Sequence, residues 1–422
     1  MTRGWYTLAW RLALPLVLLR LLWRSLREKG YRQHWGERLG YYGFPGAGWH
    51  TIWVHAVSVG ETRAAEPLID MLLREYPNSR VVLTHMTPTG RATGAALFAK
   101  YGERLVQSYL PYDLEPMVLR FIRYFTPRIC ILVETEVWPN LIAACAWRRV
   151  PVALVNARLS ERSLRRGQRL GPLMTQAAQG IALVAAQTEL DAARVARLGA
   201  PRIGVTGSIK FDVLVPPAAV QAGERLRAQA GARPVLLCAS TRDGEEAQIL
   251  AAWQRLPNRP AGLLLVIVPR HPQRFDEVVR LVESSGLRVQ RRSTLGEAAL
   301  DADVLVGDSM GEMFAYFTAC DVAFIGGSLL PLGGQNLIEA CAVGKPVLVG
   351  RHTFNFAEAT EQAIAAGAAL CVADADALVV QAVRLLGDPA ARAEMGQRAL
   401  DFATRHRGAT ARTVELLKPL IY

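Results

Sequence analysis

Twice along this chain, short runs of nearly uninterrupted apolar residues alternate with stretches of helical periodicity. Few architectures accept that pattern. TIWVHAVS (51–58), RVVLTHM (80–86), RLVQSYLP (104–111), ICILVET (129–135), PVALVNA (151–157) and IALVAAQT (181–188) read as strands. Amphipathic segments such as TRAAEPLIDMLLREYP and EPMVLRFIRYFTP lie between most of them. A run apolar at every position belongs to a strand covered on both faces, which is the environment of a parallel sheet between two helical layers. After a Pro/Ala-rich stretch the pattern restarts with PVLLCAS (234–240), GLLLVIVP (262–269), LRVQRR (287–292), DVLVGD (303–308), DVAFIGG (321–327), PVLVG (346–350) and ALCVAD (369–374). The expected fold class is α/β, with two doubly wound Rossmann-like domains. The expected boundaries are a basic apolar helix at 1–30, a first domain at 31–213, a linker at 214–233 and a second domain at 234–390. The helices of 391–422 cap the second domain or cross back to the first.

Length and composition agree: 422 residues, 51% hydrophobic and 20% charged, favour two globular domains over disorder or coiled coil. The six cysteines (130, 145, 238, 320, 341, 371) form no CxxC pair and no disulfide framework, as in a reducing compartment. Net charge is +12, and residues 1–40 hold eight Lys/Arg against two acids. A basic terminus points to an anionic surface. Here the surface expected is a membrane. In residues 12–23 the charge-free run is only eight residues, whereas a spanning helix needs about 20. As a helix, the segment carries Arg20, Arg24 and Arg27 on one face and Leu and Trp on the other. Trp5, Tyr6, Trp10 and Trp23 suit a headgroup zone. The alternative is a helix that packs on a domain. No zinc module or aromatic-interleaved basic motif supports a nucleic-acid partner.

In doubly wound sheets ligands bind at the carboxyl ends of the strands, so chemistry is sought in the strand-to-helix loops. The first is Ser58-Val59-Gly60-Glu61-Thr62, where Glu61 is either a helix cap or a general base. Others are Met86–Arg91, Glu134–Asn140 with two acids beside Trp-Pro, Asn156–Ser160, and Gly207–Asp212 with Lys210. In the second half come Ser240–Glu246, Pro269-Arg270-His271-Pro272, Gly307–Glu312, and Gly326-Gly327-Ser328 leading to Gly333–Glu339. Glycine turns before helix starts favour phosphate, and several in one domain point to a nucleotide. Glu339 suits ribose hydroxyls or simply solvent. There is no GxxxxGK[ST], GxGxxG or HExxH. Asp301/Asp303 and Asp374/Asp376 mimic a DxD metal motif without further ligands. His55 reads as a core histidine, and His271 as the better site candidate.

The motifs HAVSVGE, MTPTG, LPYD, ETEVWPN, NARLSERS, GSIKFD, GEE, VPRHPQRF, GDSMGE, FIGGSL, GGQNLIEA and HTFNF, in this order, closely resemble the 3-deoxy-D-manno-oct-2-ulosonic acid (Kdo) transferases of lipid A assembly. The resemblance runs from about Tyr31 to the C-terminal helices. It implies the GT-B glycosyltransferase architecture, with an acceptor-binding N-terminal and a CMP-sugar-binding C-terminal domain facing a central cleft. It implies inverting transfer of Kdo from CMP-Kdo to a lipid A precursor (lipid IVA), with no cofactor and no required metal. The setting implied is the cytoplasmic side of the inner membrane of Gram-negative bacteria. Matched by motif, Glu61 is the general base, and Glu134 and Lys210 are transition-state stabilisers. Pro269, Arg270, Met310, Gly311, Glu312, Asn336, Leu337, Ile338 and Glu339 match the CMP-binding positions. Two departures are His85, where a small polar residue is expected, and Arg63, where an apolar one is common. The number of Kdo units added is not written in these motifs. A rival reading is another GT-B transferase using a UDP-sugar, which competition between CMP and UDP separates; a second rival is a membrane-surface scaffold without activity.

Overall fold

The computed structural model describes residues 1–43, 50–256, 260 and 262–421, apart from the side chains of residues 27 and 29. Arg27, third of the basic row expected on the first helix, therefore has its side chain outside the described residues. The chain divides into two units, Met1–Asp212 with Arg407–Tyr422, and Val213–His406.

The first unit is built on seven parallel strands: β1 His50–His55, β2 Ser79–His85, β3 Leu105–Tyr109, β4 Pro127–Val133, β5 Val152–Ala157, β6 Leu183–Ala186 and β7 Ile203–Val205. Their order in the sheet is β3-β2-β1-β4-β5-β6-β7. Alternation along β1 assigns its residues to two cores. Ile52 and Val54 pack with Leu68, Leu72, Val414 and Leu417 on one face. Trp53 packs with Phe121, Leu141 and Cys145 on the other. Helix starts follow local chemistry. Ser58, Thr87, Ser160 and Thr188 each cap a helix by accepting a backbone N–H, which satisfies a donor the helix cannot. Pro88, Pro139 and Pro172 stand in first turns, where a missing N–H costs nothing. The helix Ala409–Ile421 buries Val414, Leu417 and Ile421 in this unit.

The second unit has seven parallel strands as well: β8 Val235–Thr241, β9 Leu264–Pro269, β10 Val289–Arg291, β11 Val304–Val306, β12 Val322–Ile325, β13 Val347–Val349 and β14 Ala369–Cys371. Their order is β10-β11-β9-β8-β12-β13-β14. The stretch expected as a linker, 214–233, carries the helix Pro217–Ala230. Gly223 of that helix is packed so closely on Thr318 that a Cβ would lie 2.5 Å from it, so the stretch is an integral part of this unit.

The N-terminal helix Arg3–Arg27 is long and apolar enough, by length and composition, to cross a membrane. Its two sides differ. Tyr6 donates to Asp113 (2.8 Å), Thr7 donates to Asn140 (3.0 Å) and Trp10 lies 6.1 Å from the Tyr112 ring. Tyr6 and Trp10 thus face protein rather than serving as headgroup anchors. Trp5, Leu8, Leu12, Leu16, Leu19, Leu22, Trp23 and Leu26 are exposed along the other side.

Candidate active site

Both sheets change winding direction once: between β1 and β4 in the first unit, and between β8 and β12 in the second. Strands on either side of such a point send their following loops apart and leave a crevice at their carboxyl ends. Glu61 and Glu134 follow the two strands at the first switch point and Asn336–Glu339 follow β12 at the second, whereas Lys210 follows β7, Pro269 and Arg270 lie at the end of β9, and Met310–Glu312 follow β11.

In the first unit, β1 runs into Ser58 and the short helix Val59–Ala64. Glu61 occupies the third helical position. Its amide donates to Ser58 Oγ (3.5 Å), the Ser58 hydroxyl donates to Glu61 Oε1 (3.3 Å), and Glu61 Oε2 accepts the Val57 N–H. This is a variant of the capping box in which the carboxylate reaches the amide one residue before the cap. The cap and base readings of Glu61 therefore do not exclude each other. Burial pushes its carboxyl up to about 7; the Val57 hydrogen bond opposes that shift, and the charges of Glu134 and Glu136 add to it. A carboxyl poised there exchanges a proton near neutral pH.

Glu134 follows β4, the neighbour of β1. Its backbone lies in the left-handed region, φ 65°, which is costly for a residue with a side chain. Its amide donates to Val155 O on β5 (2.9 Å). Its carboxylate pairs with Lys210 Nζ at 2.7 Å. Glu136 accepts the Trp138 indole N–H (2.8 Å), and burial, then the Glu134 charge, raise its carboxyl. Glu61, Glu134 and Lys210 are brought to one end of one sheet.

Asp113 of the LPYD loop was not a predicted site residue. It is buried and accepts the Asn140 and Leu141 amides (3.1 and 2.7 Å), capping the helix after the Glu134 loop, together with the Tyr6 hydroxyl. His55 is fully buried against Thr84 and held near 3, chiefly by burial. His85, the departure noted before MTPTG, is buried beside Gln107 and lowered to about 4 by burial. Both imidazoles are neutral structural groups. Arg63 is exposed.

In the second unit, β8 and β12 approach so closely that a Cβ on Gly326 would lie 2.6 Å from Ser240 O. Gly327 follows at φ 71°. Glu245, fully buried, accepts the amides of Gly327 (2.6 Å), Leu329 (3.0 Å) and Arg242 (2.9 Å) and so ties the two loops. Glu246, also fully buried, accepts the Thr241 hydroxyl (2.7 Å) and both hydrogen bonds of Arg274 Nη1. These acids sit inside the GEE motif, but the sequence signals only a polar helix start. Pro269 ends β9, and the Arg270 amide donates to Thr241 O (2.9 Å). His271 is lowered by burial and then by the charges of Arg242, Arg270 and Arg274, which marks a cationic rim on these loops.

Met310 is 57% exposed beside Gly311 at φ 83°. Glu312 receives Arg292 (3.0 Å) and the Ser309 hydroxyl. Asn336 accepts the Ile338 amide (3.0 Å) and donates to Glu339 (3.1 Å). Leu337 and Ile338 are fully buried, and the Ile338 amide is already taken by Asn336, so neither residue presents a surface at this turn. The DxD look-alikes are occupied otherwise. Asp301 and Asp303 pair with Arg288 (3.2 and 3.5 Å), Asp376 pairs with Arg255 (2.7 Å), and Asp374 caps the Ala377 amide (2.8 Å).

A family model described as 3-deoxy-D-manno-octulosonic-acid transferase (kdotransferase) matches residues 33–213. A 3-deoxy-D-manno-octulosonic acid transferase of Bordetella pertussis is 47% identical over 99% of this chain and 99% of its own length. That of Haemophilus influenzae is 38% identical over 100% of this chain and 99% of its own. Among solved structures, a UDP-GlcNAc 2-epimerase from Neisseria meningitidis bound to UDP-GlcNAc aligns with TM-score 0.59 at 17% identity, covering 87% of this chain and 100% of that one. A glycosyltransferase from Rickettsia africae aligns with TM-score 0.57 at 13% identity, covering 89% and 99%. These two likenesses are of fold: paired doubly wound α/β units of the GT-B kind.

Proposed function

This chain belongs to the 3-deoxy-D-manno-octulosonic acid (Kdo) transferases, and we propose that it moves Kdo from CMP-Kdo onto a lipid A precursor, lipid IVA, with inversion at the anomeric carbon. The observation that carries the mechanism is a half-buried carboxyl, Glu61, raised to about 7 beside the Glu134–Lys210 pair.

A sugar hydroxyl is a poor nucleophile at neutral pH. Glu61 accepts its proton as the hydroxyl oxygen bonds to the anomeric carbon from the face opposite the phosphate. The bond from that carbon to the phosphate oxygen breaks, and CMP departs with the electron pair. Base assistance of this kind contributes about 10²–10⁴-fold. The capping contacts from Val57 and Ser58 hold the carboxylate in place, and such fixed geometry is what proximity effects require. Lys210, aligned by Glu134, offers a cation to the carboxylate of Kdo or to charge developing in the transition state. Glu134 takes no proton in this scheme.

The donor nucleotide sits at the β8/β12 crevice. Arg270 and the cationic rim around His271 take the phosphate. Pro269, Met310, Gly311, Glu312, Asn336 and Glu339 form the remaining walls, and the buried Leu337 and Ile338 support the turn that carries Asn336 and Glu339. Fixed cations and amides do the work of charge stabilisation here, so the reaction requires no metal and no cofactor; a chelator is expected to leave turnover unchanged. The exposed apolar stripe of the first helix supports attachment to the cytoplasmic face of an inner membrane, where a lipid acceptor is presented.

The test is Glu61→Gln. Transfer is expected to fall by at least about 10²-fold with CMP binding unchanged, and mass spectrometry of the wild-type product identifies donor, acceptor and sugar count together. Wild-type turnover in Glu61→Gln removes that residue from the mechanism.

A further inference from the structure

Asn156 occupies a position that its role in a strand does not explain. It is the next-to-last residue of β5, is fully buried, and has φ 53°. The left-handed region costs an ordinary residue free energy and persists where surrounding structure enforces it. Asn tolerates it better than most residues, and Gly tolerates it at no steric cost. The side chain spans to another loop: Asn156 Oδ1 accepts the Ile209 amide at 3.1 Å, across 53 positions of sequence. Ile209 immediately precedes Lys210. The Asn156 carbonyl is itself held by Gln187 Nε2 (2.9 Å). One residue earlier, Val155 O accepts the Glu134 amide (2.9 Å).

The two halves of the Glu134–Lys210 pair, 2.7 Å apart, are therefore fixed by adjacent residues of one strand. Val155 fixes the backbone of the acid, and Asn156 fixes the backbone of the lysine. We infer that Asn156 is a positioning residue for the reaction: its amide oxygen sets the place of the Lys210 ammonium relative to Glu134, and turnover depends on it without its touching substrate. The left-handed backbone aims that oxygen; a strand conformation would direct the side chain elsewhere. The inference rests on the proposed role of the Glu134–Lys210 pair.

Two variants separate the side chain from the backbone. Both N156G and N156A remove the oxygen, but only N156A keeps a Cβ at φ 53°, so N156G should unfold at the higher temperature of the two. Both are expected to lose kcat by at least about 10-fold, the cost of displacing a charged group from its place, with the KM for CMP-Kdo moved by less than about 2-fold. The second readout does not use activity. The chain has five lysines, at positions 29, 100, 210, 345 and 418, so ¹³C-dimethylated protein gives a countable set of lysine resonances. In N156G the Lys210 resonance should shift in position, as its hold on Glu134 loosens, with the other four unmoved. An unmoved Lys210 resonance, or N156G with wild-type kcat and only N156A impaired, overturns the positioning role. A moved resonance with wild-type turnover in both variants overturns the role of the Glu134–Lys210 pair in transfer.

Discussion

A carboxyl held near 7 has opposite consequences for activity and for stability. As a base Glu61 works only when ionised, so kcat/KM should fall about tenfold per unit as pH drops below about 7, with the inflection near 7. For folding, the protonated form is the one that the buried setting favours. The folded state holds this proton up to about 7 while the unfolded chain releases it near the ordinary carboxylate value, so stability contributed at low pH is lost as pH rises through that window. Glu61→Gln removes the titration. It should be at least as stable as wild type above pH 7, with any advantage vanishing toward pH 4. Parallel pH–rate profiles and thermal melts of the two proteins check both halves; a wild-type rate flat from pH 5 to 8 would sink the assignment. How much of this was legible residue by residue varies for a physical reason. Glu61 announces itself because SxxE is a local signature at a strand-to-helix turn. Its raised protonation does not, because that depends chiefly on burial in the folded unit and then on the charges of Glu134 and Glu136, which arrive from another strand. Asn156 was visible only as one letter of a polar loop, since its partner Ile209 lies on the far side of two intervening strands.

At the level of elements, thirteen of the fourteen strands among the described residues have a counterpart in the sequence runs: β5 and β9 are buried at every position and have no polar face to disguise them, whereas the partly buried β10 stands out only within the longer run LRVQRR. The missed strand, β7 Ile203–Val205, is three residues long, lies at the sheet edge and is only partly buried; too little of its pattern exists to be read. The stretch 214–233 reads in sequence as helix and linker together; the helix Pro217–Ala230 is there, and the tight packing of its Gly223 on Thr318, which places it within the second unit, is a contact that sequence does not show. The first helix behaves differently from either. Its inner side is fixed through Tyr6 and Thr7, whereas Leu12, Leu16 and Leu19 are 71%, 68% and 61% exposed. Such a stripe is larger than a soluble surface ordinarily presents. Replacing all three leucines with Ser should weaken partition onto lipid vesicles by at least about 10²-fold, taking about 1.5 kcal/mol for each leucine removed from water. The melting temperature should stay within a degree or so, since these side chains make no contribution to the core. Unchanged vesicle binding in co-sedimentation would assign membrane attachment to another surface.

For the molecule as a whole, the order of the chain matters more than any single element. The first unit is completed only by the last residues, Arg407–Tyr422, after the whole second unit has been made. Asp212 accepts the amides of Gly408 and Thr410, and Arg412 donates to Thr206 O (2.9 Å). These bonds hold the returning segment beside the point where the chain leaves the first unit. Val414, Leu417 and Ile421 then enter the core shared with Ile52, Val54 and Leu68. Three such side chains are worth roughly 5–9 kcal/mol on burial, comparable with the whole stability of about 5–15 kcal/mol typical of a domain. Among the described residues, none of the second unit belongs to that core. A chain ending at His406 should therefore lose the calorimetric transition of the first unit and keep that of the second. Limited proteolysis should leave a resistant fragment spanning residues 213–406 while residues 1–212 are digested. Transfer should be abolished even though every proposed site residue is still present in the truncated chain. Retention of both transitions by that chain would mean that the first seven strands and their helices are stable without their closing helix, and that the terminal segment serves some purpose other than folding.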